Sequence, residues 1–258
     1  MRIGAPKDEA DAAVWIEKAA GQGDATAEFL LAAMYREGRG VAKDEAHAAY
    51  LMAKAADAGN AGAEYDVGVM TEFGQGFPKN DATAADWYAR AAAQGLAQAE
   101  TQLGYLYALG NGVAQNDAIA VDWYRKAVDQ GDQRAEYLLG LSYLGGRGIK
   151  RDYAQAENLV FKAASQGYVP AQFTLSSIYL GGWGTAKNPV EAAKWMRRAA
   201  DAGLAAAQYD LGVFYERGLG VVGDHQQALN WWRKAAAQDF LPAKQALALP
   251  EPSALGYP

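Results

Sequence analysis

The chain repeats itself every 36 residues, and this period limits its fold more than any other feature. Stepping by 36 from Ala27 meets an alanine each time as far as Ala243, and stepping from Gly38 meets a glycine each time as far as Gly218. No insertion breaks the register between residues 27 and 242. A fixed period of this length predicts a repeat architecture, in which each unit packs mainly against its neighbours.

Each period is predicted to contain two helices. In the first period, residues 27, 31, 34 and 35 are apolar and fall on one helical face. Gly38 and Gly40 then end this first helix, because glycine readily takes the left-handed conformation of a helix C-cap. The second helix buries Ala48 and Leu51 with their equivalents and ends at the glycines equivalent to Gly59, where Asp239 is the exception.

An N-cap residue is predicted at the start of every second helix. The position holds a short side-chain acceptor for free backbone N–H groups each time, namely Asp8, Asp44, Asn80, Asn116, Asp152, Asn188 and Asp224. One helix pair cannot bury its own apolar face, so the units must stack. The expected fold class is an all-α, right-handed α-solenoid of helix-turn-helix repeats.

A single solenoid domain over residues 1–258 is the predicted domain organisation. It divides into a half repeat, six full repeats and a C-terminal cap, with the bounds 4–26, 27–62, 63–98, 99–134, 135–170, 171–206, 207–242 and 243–258. Pro250 and Pro252 are expected to truncate the helix that begins this cap.

The repeat motif resembles that of a known family. The motif is Ala-x3-Leu-Gly-x2-Tyr-x2-Gly-x-Gly-Val followed by Asp-x3-Ala-x2-Trp-x2-Lys-Ala-Ala-x3-Gly. One unit shows it at Ala99, Leu103, Gly104, Tyr107, Gly110, Gly112, Val113, Ala120, Trp123, Lys126, Ala127 and Gly131. It is similar to the Sel-one-like repeat (SLR) family, which is related to the tetratricopeptide repeats. The resemblance implies a non-catalytic scaffold that binds a protein or peptide, often in bacterial signalling or envelope assembly.

Charge and composition narrow the classes of partner. The net charge of −6 and a pI near 5.0 disfavour nucleic acid and anionic membranes, which attract basic surfaces. The absence of cysteine excludes disulfides, thiolate metal sites and a cysteine nucleophile. No apolar run is long enough to span a bilayer, and residues 1–10 do not form a secretory signal. The compartment stays open between the cytoplasm and, if a leader has been removed, the periplasm.

No motif indicates an enzyme, a metal site or a cofactor. His47 and His225 lie five periods apart and are expected to be solvated surface residues. The recurring Gly-x-Gly closes a helix, whereas a phosphate-binding loop follows a strand and opens one. An enzyme, for example a hydrolase, or a regulatory part of one is therefore the least favoured alternative function.

Two charged columns recur with the same period. One column is basic, with Lys18, Lys54, Arg90, Lys126, Lys162, Arg198 and Lys234. The other is acidic or amide, with Glu28, Glu64, Glu100, Glu136, Gln172 and Gln208. The basic column is interpreted as a solvated or inter-helix polar seam, in which exposed pairs would add little stability.

Aromatic residues recur on the side of the first helix that is expected to face solvent. At 100° per residue, positions 29 and 33 lie 160° from Leu31 at the centre of the core face. In tetratricopeptide-like stacking these positions line a concave groove. The predicted partner-binding residues on the helices are Phe29, Tyr65, Tyr105, Tyr137, Leu141, Phe173 and Tyr209. The alternative is that these rings pack against the first helix of the next unit.

Trp183 is a further candidate, because it lies in the glycine loop where other units have polar residues or leucine. It is interpreted either as an interface anchor or as a ring folded against its own helix ends.

The chain begins in the middle of a repeat. Gly4 aligns with Gly76 of a complete repeat, so the helix with Trp15 and Ile16 lacks its first-helix partner. An upstream repeat, a second copy of the chain or a partner helix is expected to cover its apolar face. A structural or self-assembling spacer is the alternative function, and the predicted aromatic groove argues against it.

Overall fold

The computed structural model describes residues 6–248, with side chains from residue 8 onward. Within this range it contains fourteen α-helices and no strand. The helices are α1 (Pro6–Ala20), α2 (Ala25–Glu37), α3 (Glu45–Asp57), α4 (Ala61–Phe73), α5 (Asp81–Ala93), α6 (Ala97–Leu109), α7 (Asp117–Asp129), α8 (Gln133–Gly145), α9 (Tyr153–Ser165), α10 (Val169–Gly181), α11 (Pro189–Asp201), α12 (Ala205–Arg217), α13 (His225–Ala236) and α14 (Leu241–Ala248). The predicted fold class is confirmed. Gly4 and the predicted cap residues from 249 onward lie outside the described residues.

The predicted helix ends are found in the complete repeats. The Asp44 carboxylate accepts a hydrogen bond from the backbone N–H of His47 at 2.9 Å, and Gly38 ends α2 with φ 70°. Asp239 is the only described residue other than glycine with positive φ. The prediction for Asp8 is wrong, because α1 already begins at Pro6 and Asp8 lies in its first turn. Proline favours the first position of a helix, where no N–H is needed.

The chain divides into two compact units, which meet in sequence after Asp132. The first contains α1 to α7 and the second α8 to α14. Inside each unit, a first helix packs against the second helix of its own repeat and against the helix before it. The core is rich in buried alanine, for example Ala55 and Ala91, because small side chains let helix axes approach closely.

A close approach of backbones joins successive repeats. Gly112 has φ 71°, and a Cβ atom at this position would overlap the carbonyl oxygen of Asp81 at the start of α5. Gly184 stands in the same relation to Tyr153. At Gly112 and Gly184, the second glycine of the Gly-x-Gly motif is thus required both for its conformation and for contact with the preceding second helix.

The two charged columns meet as a seam between helices. Glu28, Glu64, Glu100 and Glu136 are buried, and the pairs Lys54–Glu28, Arg90–Glu64 and Lys162–Glu136 have N–O distances of 2.5, 2.8 and 2.8 Å. Glutamines at the ends of the second helices add a donor that the sequence interpretation missed. The amides of Gln94, Gln130 and Gln166 bind Glu64, Glu100 and Glu136 at 2.8, 2.8 and 2.6 Å. These glutamines recur with the period of 36, so the sequence alone could have indicated their shared role.

Candidate interaction surface

Six residues at the Phe29 position of the repeat, called here the ring column, are predicted to face solvent. The column consists of Phe29, Tyr65, Thr101, Tyr137, Phe173 and Tyr209. Thr101 is buried and the five rings are half-buried. The rings are thus partly covered, in the direction of the packing alternative, and each one keeps an accessible portion.

The rings are half-buried because they pack on the second helix of their own repeat, on the segment that follows it, or on the next first helix. In the first unit, Phe29 contacts the cluster that includes Val67, and its ring lies 3.1 Å from the place of a Cβ atom at Gly62. The centroid of Tyr65 lies 5.6 Å from that of Tyr88. A helical projection of the first helix alone cannot show this coverage, because the covering atoms belong to other helices.

The second unit repeats this arrangement. The rings of Tyr137 and Tyr168 lie 5.3 Å apart, and Tyr209 lies 5.8 Å from Phe240. Phe173 packs on the buried cluster that contains Leu211. Off-axis aromatic pairs at these separations are favourable contacts. The ring column thus contributes to packing within and between repeats, while each ring keeps part of its surface accessible.

The remaining candidate residues differ in exposure. Tyr105 and Leu141, one helical turn after the ring column, are half-buried. Trp183 is 41% exposed, and its indole lies so close to Gly181 that a Cβ atom there would be 2.6 Å from the ring. Trp183 therefore folds over the end of α10 and still offers a large apolar area to solvent.

Acidic and polar residues lie beside the ring column. Positions within a repeat are numbered here as in the first full repeat. We use the name first-helix face for positions 29, 30, 33 and 36 and their equivalents in the other repeats. Arg36 lies 3.8 Å from Asp66 of the next repeat, and Glu72 accepts a hydrogen bond from Gln102 at 2.9 Å. Burial raises the pKa of Asp66, and the charge of Arg36 partly opposes that shift. Position 36 of one repeat thus reaches position 30 of the next.

Asp210 occupies the Asp66 position four repeats later. Burial raises the pKa of its carboxyl group, without an opposing charge. The sequence interpretation missed Asp66, Glu72 and Asp210, because their neighbours come from an adjacent repeat.

The two histidines are more enclosed than predicted. His47 is half-buried and meets the Tyr35 ring edge-on at 4.5 Å. Nδ1 of His225 lies 2.7 Å from the Glu216 carboxylate. Over residues 6–248, no three His, Asp or Glu side chains are grouped closely enough to hold a metal ion. No helix in this range is both long and apolar enough to cross a membrane.

Comparison with known proteins identifies the repeat. A family model described as "Sel1 repeat" matches seven segments, at residues 2–24, 25–60, 61–96, 97–132, 133–168, 169–204 and 205–240. No curated protein sequence matches the chain.

Two solved structures are similar over nearly the whole chain. One is c5321, a protective antigen present in uropathogenic Escherichia coli strains that displays an SLR fold, with 34% identity and a TM-score of 0.81. The match covers 92% of this chain and 52% of c5321, so the chain spans about half of that protein's length. The other is a Sel1 repeat protein from Oxalobacter formigenes, with 34% identity, a TM-score of 0.79, and 93% and 69% of the two chains covered.

Proposed function

This chain belongs to the Sel1 repeat family, whose members generally mediate interactions between proteins, and from this premise we propose that it is a non-catalytic scaffold. The scaffold binds a partner protein or peptide on the first-helix face. Its proposed setting, bacterial signalling or envelope assembly, rests on the family resemblance and on the bacterial sources of the two similar structures.

The ring column is the observation that carries this proposal. Five of its six members are aromatic, and all five are only half-buried although they lie away from the centre of the core face. Aromatic side chains are the most frequent anchors of protein interfaces, because they bury a large area at a small cost in conformational entropy. Tyr105, Leu141 and Trp183 extend the proposed contact area.

The proposal is tested by capture of partners from the bacterial host on the immobilised chain. Combined Tyr137→Ala and Phe173→Ala substitutions should reduce capture by about tenfold or more, because interface aromatics each contribute roughly 1–3 kcal/mol. The matched control carries Tyr153→Ala and Phe161→Ala, which remove two exposed rings from a second helix of the same unit.

Both double variants are first compared by urea unfolding, because Tyr137 and Phe173 also pack on the following repeat. Equal capture by the two folded variants would contradict the placement of the binding site on the first-helix face.

Self-association is the second candidate function, and the exposure of α1 favours it. Trp15 is 68% exposed, whereas its equivalents Trp195 and Trp231 are buried against the second helix of the preceding repeat. Val14 adds an exposed neighbour. A large apolar side chain exposed where its equivalents are buried supports an interface at this helix.

Sedimentation equilibrium tests self-association directly. Trp15→Ser should leave thermal unfolding nearly unchanged and should abolish any concentration-dependent increase in mass. A monomeric wild-type chain at all concentrations would eliminate this candidate.

A further inference from the structure

Asp66 and Asp210 occupy the same position of the repeat, but only one of them has a cation. The carboxylate of Asp66 lies 3.8 Å from the guanidinium of Arg36, which belongs to the preceding repeat. Stepping by four periods from Arg36 reaches Leu180, so the residue that would pair with Asp210 is apolar. The later repeat thus keeps the carboxylate, as Asp210, but has Leu180 in place of the cation.

Asp210 is also an exception among the polar residues at this position. Gln102 donates a hydrogen bond to Glu72, and the Thr174 hydroxyl lies 3.3 Å from the hydroxyl of Tyr137. Among the residues that the structure describes, Asp210 has neither a hydrogen-bond partner nor an ion-pair partner. It is nevertheless half-buried.

The fold gains nothing from an ionised carboxylate placed there. Removing a charged group from water costs free energy unless a partner compensates it. Asparagine or leucine would satisfy the same packing, since leucine fills this position at Leu30 and Leu138. An external cation would supply what Arg36 supplies to Asp66.

The surroundings of Asp210 fit a basic side chain within an apolar segment. The Tyr137–Thr174 contact shows that a ring-column residue reaches position 30 of the following repeat. Phe173 stands in this relation to Asp210. A basic side chain bound to Asp210 would thus come near the half-buried Phe173 ring, and an ammonium or guanidinium group is attracted both to a carboxylate and to a ring face.

We propose that Asp210 is a specificity-determining residue that receives a lysine or arginine side chain of a bound peptide. This inference rests on the proposed function, since it names the partner chemistry of the same first-helix face. The recognised segment carries one basic residue between apolar or aromatic residues. The net charge of −6 further favours the approach of a cationic segment.

Random short peptides displayed on phage provide a defined probe for this proposal. They are selected in parallel on the wild-type chain, on Asp210→Asn, on Leu180→Arg and on the control Asp201→Asn, which removes an exposed carboxylate from the second helix α11. Asp210→Asn removes the charge with little change of shape, and Leu180→Arg supplies an internal cation as Arg36 does. Thermal unfolding verifies that all four chains are folded.

We expect the wild type and Asp201→Asn to select peptides with a fixed lysine or arginine. Asp210→Asn and Leu180→Arg should lose this preference. Replacing the selected arginine by its neutral isostere citrulline in a synthetic peptide should weaken binding to the wild type by about tenfold or more and leave binding to Asp210→Asn unchanged.

The outcomes separate the two proposals. Peptides selected without a basic preference, or with the same preference on Asp210→Asn, overturn the role of Asp210 while the scaffold function stands. If no chain selects any peptide on the first-helix face, both the role of Asp210 and the proposed binding face are wrong.

Discussion

The buried seam is built from a carboxylate in the second repeat and from an amide in the fifth, at the same position of the motif. Glu64 accepts hydrogen bonds from Arg90 Nε and Gln94 Nε2, each at 2.8 Å. Gln172 instead donates its amide to the backbone carbonyl of Ala164 at 3.3 Å. Both side chains are buried.

The acidic and the amide arrangement both provide a hydrogen-bond donor to the same backbone carbonyl of the repeat. In the second repeat, Arg90 reaches past Glu64 and donates to the carbonyl of Ala56 at 2.9 Å. Ala164 is the equivalent of Ala56, three periods later. A carbonyl of a buried residue at the end of a second helix thus accepts a hydrogen bond either from a cation that a buried acid holds in place, or directly from a glutamine.

The difference determines what the basic column does. In the acidic second repeat, Arg90 pairs with Glu64 and also lies over the ring of Trp87, at 4.3 Å from its centroid. Where the seam is an amide, Arg198 and Lys234 keep only the ring contact, over Trp195 and Trp231 at 4.3 and 3.7 Å. The same basic residue should therefore contribute unequally to stability in the two kinds of repeat.

The largest expected effect comes from removing the cation of an acidic repeat. Arg90→Ala leaves Glu64, which is 2% exposed, charged and without its ion-pair partner. We expect a loss of about 3 kcal/mol in the free energy of unfolding, measured by urea denaturation. The matched Arg198→Ala should cost about 1 kcal/mol, because Gln172 carries no charge. Equal losses would show that the ion pair does not distinguish the repeats.

Introducing the acid into an amide repeat should have the next largest effect. Gln172→Glu removes the donor to the Ala164 carbonyl and adds a buried charge that Arg198 only partly compensates. We expect a loss of roughly 1–2 kcal/mol near pH 7. Thermal unfolding should show that the loss shrinks in acid, where the new carboxyl is protonated. A loss that is independent of pH would point to packing instead.

The reverse exchange should stabilise the third repeat. Burial raises the pKa of Glu100, although Lys126 and the Gln130 amide oppose that shift. An acid whose pKa is higher when folded loses stability as the pH rises through that folded value. Glu100→Gln should therefore raise the melting temperature near pH 7, with no difference near pH 3, where both states are protonated. Gln208, which accepts from Gln238 at 2.9 Å, shows that the amide pair fits. A lower melting temperature near pH 7 would contradict this reading.

The smallest effect is expected for a cation that has only a ring contact. Lys234→Met keeps most of the apolar stem over Trp231 and removes the charge. The loss should be about 0.5 kcal/mol by urea denaturation. Lys126→Met, its counterpart in an acidic repeat, should cost more, because it leaves the buried Glu100 without its nearby cation.

Features that repeat along one helix pair were predictable from the sequence. The period, the Asp44-type N-caps and the glycine helix ends each follow from a local rule, and the structure confirms them. Helix periodicity also identified the buried alanines of the core. The start of α1 was the exception, because the aligned Asp8 competes there with a proline two residues earlier.

Features that join neighbouring repeats were only partly predictable. The half-burial of Phe29 and the pairing of Asp66 with Arg36 depend on atoms of the adjacent repeat, which a projection of one helix cannot place. The burial of Glu64 was missed for a related reason, since glutamate is seldom buried and only its Arg90 and Gln94 partners make this acceptable. The partner-binding role of the ring column remains a prediction.

Hydrogen–deuterium exchange with a peptide selected on the wild-type chain tests the central claim most directly. If the first-helix face binds partners, the peptide should slow exchange in α8, α10 and α12 of the second unit more than in α9, α11 and α13. The protection should disappear in the Tyr137→Ala, Phe173→Ala chain. Slower exchange confined to the second helices, or unchanged by the double substitution, would contradict the account.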